Sequence, residues 1–282
     1  MQNAIVVFTK VPRAGDIKTR LTTERGGILT PEEAKQFYEA CLLDVIDCCI
    51  ASNSGDLYIC YNLNGDRDYL EKMLASVSDR RAIKGVYADR GGTFDRCMQY
   101  AADYILKGEN GGRLADSVII VGGDLPTLQP ATLREAVSRM ERLAASDSGK
   151  KAAKNAQGSG AAIGAAIVEG ACQEGGFSLV GYTCNTPFEF EGVFYNKDGV
   201  TALDMLVYKA TEQGIPFGMV EMIPDVDIPL DLASMLSSLN ALQLAARFDG
   251  GVFIPKRTIQ MIREMGLEAS AAPSLMEGSR ER

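Results

Sequence analysis

The chain has 282 residues, 46% apolar and 23% charged, with a formal net charge of −8, enough for one large α/β domain or two small ones. Its acidity argues against nucleic-acid binding, which needs a basic face, and no apolar run reaches the roughly 18 residues of a membrane span. There is no histidine, which excludes Ser-His-Asp and Cys-His catalysis and most zinc chemistry; a general base must be a carboxylate, Lys, Tyr or Cys.

The start, MQNAIVVFTK, has no basic region before its short apolar run and no small-residue cleavage site after it. A cytoplasmic protein is expected. The cysteines number seven and form no C-x-x-C pair. Cys41, Cys48, Cys49 and Cys60 sit in apolar segments and read as reduced core thiols.

Asn3 to Thr9 is a continuous apolar run and predicts a buried strand. A polar loop, Lys10 to Gly27, comes next. Thr30-Pro31-Glu32-Glu33 starts a helix, with Thr30 as N-cap, Pro31 at the first position and Glu33 closing a capping box. That helix runs to about Ser52. Asp56 to Leu63 predicts a second strand, Arg67 to Ala75 a short helix, and RAIKGVYA a weak third strand. Thr93 caps a helix to about Lys107, Ser117 to Val121 is a fourth strand, and Pro130 to Ala145 the next helix.

This alternation predicts an α/β fold with a largely parallel sheet covered on both faces. Ser146 to Gly160, rich in Gly, Ser and Lys, breaks the pattern and reads as a flexible surface insertion. AAIGAAIVEG and GFSLVGYT are two further strands, Asp198 starts a helix ending at Gly214, and PFGMVEMI is a last strand. PDVDIPLDL then leads into a core helix reaching about Phe248. One domain over 1–248 is expected, with an extension over 249–282 that holds an amphipathic segment, Lys256 to Met265, and a polar, frayed end.

Neither G-x-G-x-x-G nor a P-loop comes after the first strand. The loop there is instead cationic, with Lys10, Arg13, Lys18 and Arg20. Ligands of open α/β sheets bind beyond the carboxyl ends of the strands, so these cations suit a polyphosphate. A merely solvated basic loop is the competing reading.

Asp124 ends the apolar fourth strand in VIIVGGDLPTL. It is either a metal ligand, since Mg²⁺ takes one or two carboxylates plus substrate phosphates, or the cap of the turn before Pro126. Asp225 and Asp227 flank Val226 and point the same way in extended chain; Asp227 or Asp231 could equally cap the next helix. In QEGGFSLVGY, Glu174, Gly175 and Gly176 either admit a ligand to the backbone or make a hairpin turn.

Together, VVFTKVPRAGDIKTRL, VIIVGGDLPTL, EGACQEGGFSLVGY and PDVDIPLDL resemble the prokaryotic nucleotide-diphospho-sugar transferase-like family, some members of which are glycosyltransferases of arsenosugar biosynthesis. More distantly the chain is similar to phospholactate guanylyltransferase and the molybdenum-cofactor nucleotidyltransferases. The resemblance spans roughly Ala4 to Leu232 and implies a glycosyltransferase-A-like sandwich with a mixed, mainly parallel sheet. It implies nucleotide binding by Lys10, Lys18 and Arg20, and Mg²⁺ or Mn²⁺ held by Asp124 and Asp227. It places Gln173 to Phe177, including Glu174, Gly175, Gly176 and Phe177, near the sugar or acceptor. Departures cluster on that side: Gln173-Glu174 replaces a Glu-Asp pair, and Phe177 replaces Tyr.

The expected function is a metal-dependent transferase acting on a nucleotide sugar and a small-molecule acceptor. Glu174 is the candidate base, and Lys18 a catalytic as well as a binding residue. Nucleotidyl transfer from a nucleoside triphosphate is the alternative, and a non-catalytic nucleotide-binding module the third. Whether the tail makes a homodimer contact stays open.

Overall fold

Strand β1 (Asn3–Thr9) lies in the middle of a seven-stranded sheet. The structure is a computed structural model and describes residues 1–109, 111–157 and 162–269. In chain order β1 is followed by α1 (Pro31–Ser52), β2 (Asp56–Tyr61), α2 (Arg67–Leu74), β3 (Ile83–Ala88), α3 (Phe94–Leu106), β4 (Ser117–Gly122) and α4 (Pro130–Ala145). Then come α5 (Asp147–Gln157), β5 (Ile167–Ala171), β6 (Phe177–Thr183), α6 (Ala202–Gln213), β7 (Phe217–Met219), α7 (Pro229–Ala245) and α8 (Lys256–Glu264).

The strand order is β3-β2-β1-β4-β6-β5-β7. Only β6 runs against its neighbours; the β1–β2, β1–β4, β2–β3 and β5–β7 pairs are parallel. The expected mixed, mainly parallel sheet is therefore the observed one.

The central strands are apolar throughout because both faces are covered. Ile5, Val7, Ile119 and Val121 pack beneath Leu42, Ile46 and Leu133 of α1 and α4. Ala4, Val6, Val118 and Ile120 face Met98 and Ile105 of α3 and Leu206 of α6. A third cluster joins α1, α7 and α8 through Phe37, Leu236 and Ile259. None of the seven cysteines is joined in a disulfide, and Cys41, Cys48, Cys49 and Cys60 are buried.

Helix α1 starts as its sequence dictates. The Thr30 amide donates to Glu33 at 2.7 Å, and the Glu33 amide donates back to Thr30 Oγ1 at 3.2 Å. Helix α6 instead begins at Ala202 with Thr201 as its cap, four residues after Asp198. Asn196 delays it by bonding both backbone groups of Val200.

The stretch expected to be a flexible insertion differs more. Residues 147–157 form α5, with Ala152 and Ala153 buried against Ala165, while residues 158–161 lie outside the described residues. Alanine is the best helix former, and two small side chains on one face suffice to seat the helix while Lys150 and Lys151 stay exposed.

The extension is docked, not trailing. Arg257 in α8 donates to Asp47 at 2.6 Å and Asp44 at 3.2 Å, and the Thr258 amide donates to Asp44 at 2.8 Å. The expected frayed end, 270–282, lies outside the described residues.

Candidate functional site

The parallel strands β1, β2, β3 and β4 all end at one edge of the sheet. A cleft of about 870 Å³ opens there, where ligands of such sheets bind. Lys10, Lys18, Arg20, Asp124, Asp225, Asp227 and Phe177 line it.

Three carboxylates converge. Oxygens of Asp124, Asp225 and Asp227 lie within 4.8 Å of one another. Asp124 arrives through Gly122-Gly123 at the end of β4. A Cβ on Gly123 would come within 2.9 Å of Tyr38 Oη and Leu42 Cδ1, so any larger residue there would displace those side-chain ends. Asp225 and Asp227 flank Val226, which is buried among Leu232 and Leu236. Driving Val226 inward turns both acids the other way.

Asp227 is free for this because Asp231 does the capping: its carboxylate accepts from the amides of Asp227 at 3.0 Å and Ile228 at 2.9 Å. Gln173 braces the same segment. It accepts from the Asp225 amide at 3.2 Å and donates to the Asp225 carbonyl and to Asp231.

Lys18 fills the space between the acids. Its ammonium donates to Asp124 and, at 2.5 Å, to Asp227, and its side chain is only 4% exposed. Its backbone is left-handed, with φ 50°, a conformation that costs a non-glycine residue about 1–3 kcal/mol and gathers at functional sites. Burial alone would lower the lysine pKa, but Asp124 and Asp227 outweigh it and raise it. Burial likewise opposes ionisation of Asp227, yet Lys18 and Arg20 hold its pKa below the ordinary range. For Asp225 burial, with Asp124 and Asp227 beside it, outweighs the pull of Lys18 and pushes its pKa up to about 6.

Arg20 donates to Asp227 at 2.6 Å and stands 4.0 Å from Glu174. Glu174 is 74% exposed, at φ 58° in the turn joining β5 to β6. Glu174, Gly175 and Gly176 therefore form the turn of a hairpin at the cleft's rim, and only Phe177 of that group is part of the lining. Arg13 turns away as well: it is 81% exposed, paired with Asp16 at 3.7 Å, and not part of the lining.

Oxygen donors of this number suit a hard divalent cation. The set fits such a cation if Lys18 gives way, since the ammonium occupies two of the three acids. Sequence reasoning missed the brace by Gln173 and the lining supplied by Asn62, Asp89 and Gly91 from the ends of β2 and β3. Their position after parallel strands was the available signal. It also missed Phe8, Phe94 and Phe194, which no local pattern marks.

A family model described as "Uncharacterized protein conserved in bacteria (DUF2064)" matches residues 45–197. The chain is similar to the crystal structure of a "putative nucleotide-diphospho-sugar transferase" from Desulfovibrio desulfuricans G20. Identity is 21% and the TM-score 0.65, over 94% of this chain and 98% of that one. A cytidylyltransferase from Leptospira borgpetersenii serovar Hardjo-bovis gives 14% identity and a TM-score of 0.49, over 94% and 95%. A nucleotidyl transferase from Methanothermobacter thermautotroptrophicus gives 12% and 0.48, over 85% and 99%. No curated protein matches the chain. The first likeness fixes the fold as the glycosyltransferase-A-like sandwich.

Proposed function

The chain belongs to the DUF2064 family, and we propose from its cleft that it is a nucleotide-using transferase. The observation that carries the reading is the meeting of Asp124, Asp225 and Asp227 with Lys18 and Arg20 in one cleft at the carboxyl ends of parallel strands. Carboxylates and cations together match a diphosphate bound with a divalent ion. The resemblance of its motifs and the fold it shares with the Desulfovibrio protein support the same reading.

Asp124, Asp225 and Asp227 would hold Mg²⁺ or Mn²⁺, which supplies charge neutralisation at the leaving phosphate oxygens. Lys10 and Arg20 reach the cleft from the loop after β1 and would bind the donor's phosphates. Lys18 would join them, because it leaves Asp124 and Asp227 when the divalent ion takes those oxygens.

Glycosyl transfer from a nucleotide-diphospho-sugar is the reading we favour. Nucleotidyl transfer is the second, and one observation favours it: Glu174, the candidate base for an acceptor hydroxyl, stays outside the lining. A phosphate nucleophile is already ionised and needs no base. Incubation with nucleotide sugars, and separately with nucleoside triphosphates plus phospho-acids, separates the two. Nucleoside diphosphate release is expected in the first arm, and pyrophosphate release in the second would reverse the preference. Binding without turnover in either arm identifies a non-catalytic module. Asp124→Ala is expected to abolish metal-dependent nucleotide binding in calorimetry; unchanged isotherms would remove the metal role.

A further inference from the structure

The cleft has one wall of a different chemistry. Four of its lining residues, Phe8, Phe94, Phe194 and Phe177, touch in a row. The ring centroids are 5.7 Å apart for Phe8–Phe94, 4.6 Å for Phe94–Phe194 and 5.2 Å for Phe177–Phe194. The first two contacts are edge-to-face, a geometry that aromatic rings prefer. Val180 and Met98 continue the lining beside them.

This wall is held in place. Asp95 accepts from the amides of Gly192 and Phe194, both at 2.9 Å, which pins the loop carrying Phe194 to the start of α3. Both of its carboxylate oxygens are thereby engaged. Arg90, at the rim of the same cleft, is turned to Glu109 at 3.6 Å and lies 4.9 Å over the Tyr100 ring, away from the four phenylalanines' own contacts. A phosphate set against the four rings would lose its water, and the rings offer it no partner in exchange. A flat apolar group would instead gain burial and ring contact. Phe94 remains 41% exposed in the absence of such a group.

We propose that the Phe8–Phe94–Phe194–Phe177 wall is the acceptor subsite and that the acceptor lays an uncharged, flat apolar group such as an aromatic ring against it. The inference rests on the transferase reading above. Asp95 is a positioning residue, acting through the loop of Phe194.

Saturation-transfer NMR on the full chain tests this, with phenyl β-D-glucopyranoside as probe and phenyl phosphate as its charged counterpart. Transfer to the glucoside's ring protons is expected, with little to phenyl phosphate. Phe94→Ser is expected to weaken glucoside binding about tenfold, the scale of one lost aromatic contact with its burial. Phe94→Tyr is expected to restore it, and thermal unfolding checks that both variants fold. No transfer to the wild type, equal binding by Phe94→Ser, or preferential binding of phenyl phosphate would each overturn the proposal.

A parallel thermal-shift arm uses UDP, GDP and GTP with Mg²⁺ on the wild type and Phe94→Ser. The nucleotide that raises the midpoint is expected to do so in both and not to displace the glucoside. Displacement would assign the wall to the nucleobase and overturn the acceptor role. A wild type that answers no nucleotide strikes the transferase reading, whereas failure of the glucoside arm strikes this inference alone.

Discussion

Lys18 donates to Asp227 at 2.5 Å from a side chain that is almost wholly buried. The same ammonium binds Asp124, so one cation holds the end of β4 to the segment before α7, which is distant in sequence. A divalent ion at the proposed site would compete with lysine for the same oxygens, and such competition is reciprocal.

Lys18→Met leaves Asp124 without its cation and Asp227 with Arg20 alone. In metal-free buffer the variant is expected to lose about 1–2 kcal/mol of stability, the cost of leaving the partly exposed Asp124 unpaired after solvent screening. Mn²⁺ should restore much of it by mass action. Titration followed by electron spin resonance is expected to give Mn²⁺ binding about tenfold tighter than wild type, with nucleotide binding weaker. Looser Mn²⁺ binding would mean that Lys18 organises the acids instead of competing for them.

Gln173 touches the Asp225–Asp231 segment without joining the carboxylate cluster. Such partners typically tune metal affinity by about 10- to 100-fold. Gln173→Ala is expected to weaken Mn²⁺ binding within that range while leaving the unfolding midpoint of the metal-free protein within a few degrees. An unchanged affinity would show that Val226 and Asp231 alone position the acids.

Glu169 lies on β5 opposite Val180, fully buried, and neither carboxylate oxygen has a hydrogen-bond partner among the described residues. Burial pushes its pKa from 4.5 to about 7. Below about pH 4.5 both folded and unfolded chains hold the proton, and there is no penalty. Between 4.5 and 7 the unfolded chain releases it first, so stability falls as pH rises, by on the order of 3 kcal/mol in total. Glu169→Gln is expected to match the wild type near pH 4.5 and to unfold several degrees higher at pH 8. A difference that does not change with pH would mean that Glu169 ionises as readily in the folded state as in the unfolded one.

Arg257 bonds Asp44, Asp47 and the Ser76 carbonyl, tying α8 to α1 and to the turn after α2. Asp44 is only 2% exposed and Arg257 30%. Arg257→Met is expected to cost about 2–4 kcal/mol, because Asp44 would keep its burial and lose its cation. Urea unfolding measures this. A loss below 1 kcal/mol would mark the extension as an appendage.

Much of the scaffold was legible locally. Thr30-Pro31-Glu32-Glu33 predicts the start of α1 because its capping bonds form among neighbours. The apolar runs Asn3–Thr9 and Ser117–Val121 predict buried strands because a strand covered on both faces needs nothing else. Helix α5 was missed because its reason to fold is two alanines meeting Ala165, a contact that composition does not reveal.

The sequence by itself determined the strands, the helix starts and the identity of the charged groups that gather at the sheet edge, since those depend on near neighbours and residue type. Only the tertiary structure decided which charges meet. It chose Lys18 over Arg13 for the acids, gave the capping to Asp231 so that Asp227 was left free, put Glu174 on the rim, and lined Phe8, Phe94 and Phe194 up with Phe177. Electrostatic and ring contacts depend on distance in space, and in this cleft Lys18 and Asp227 meet from 209 positions apart.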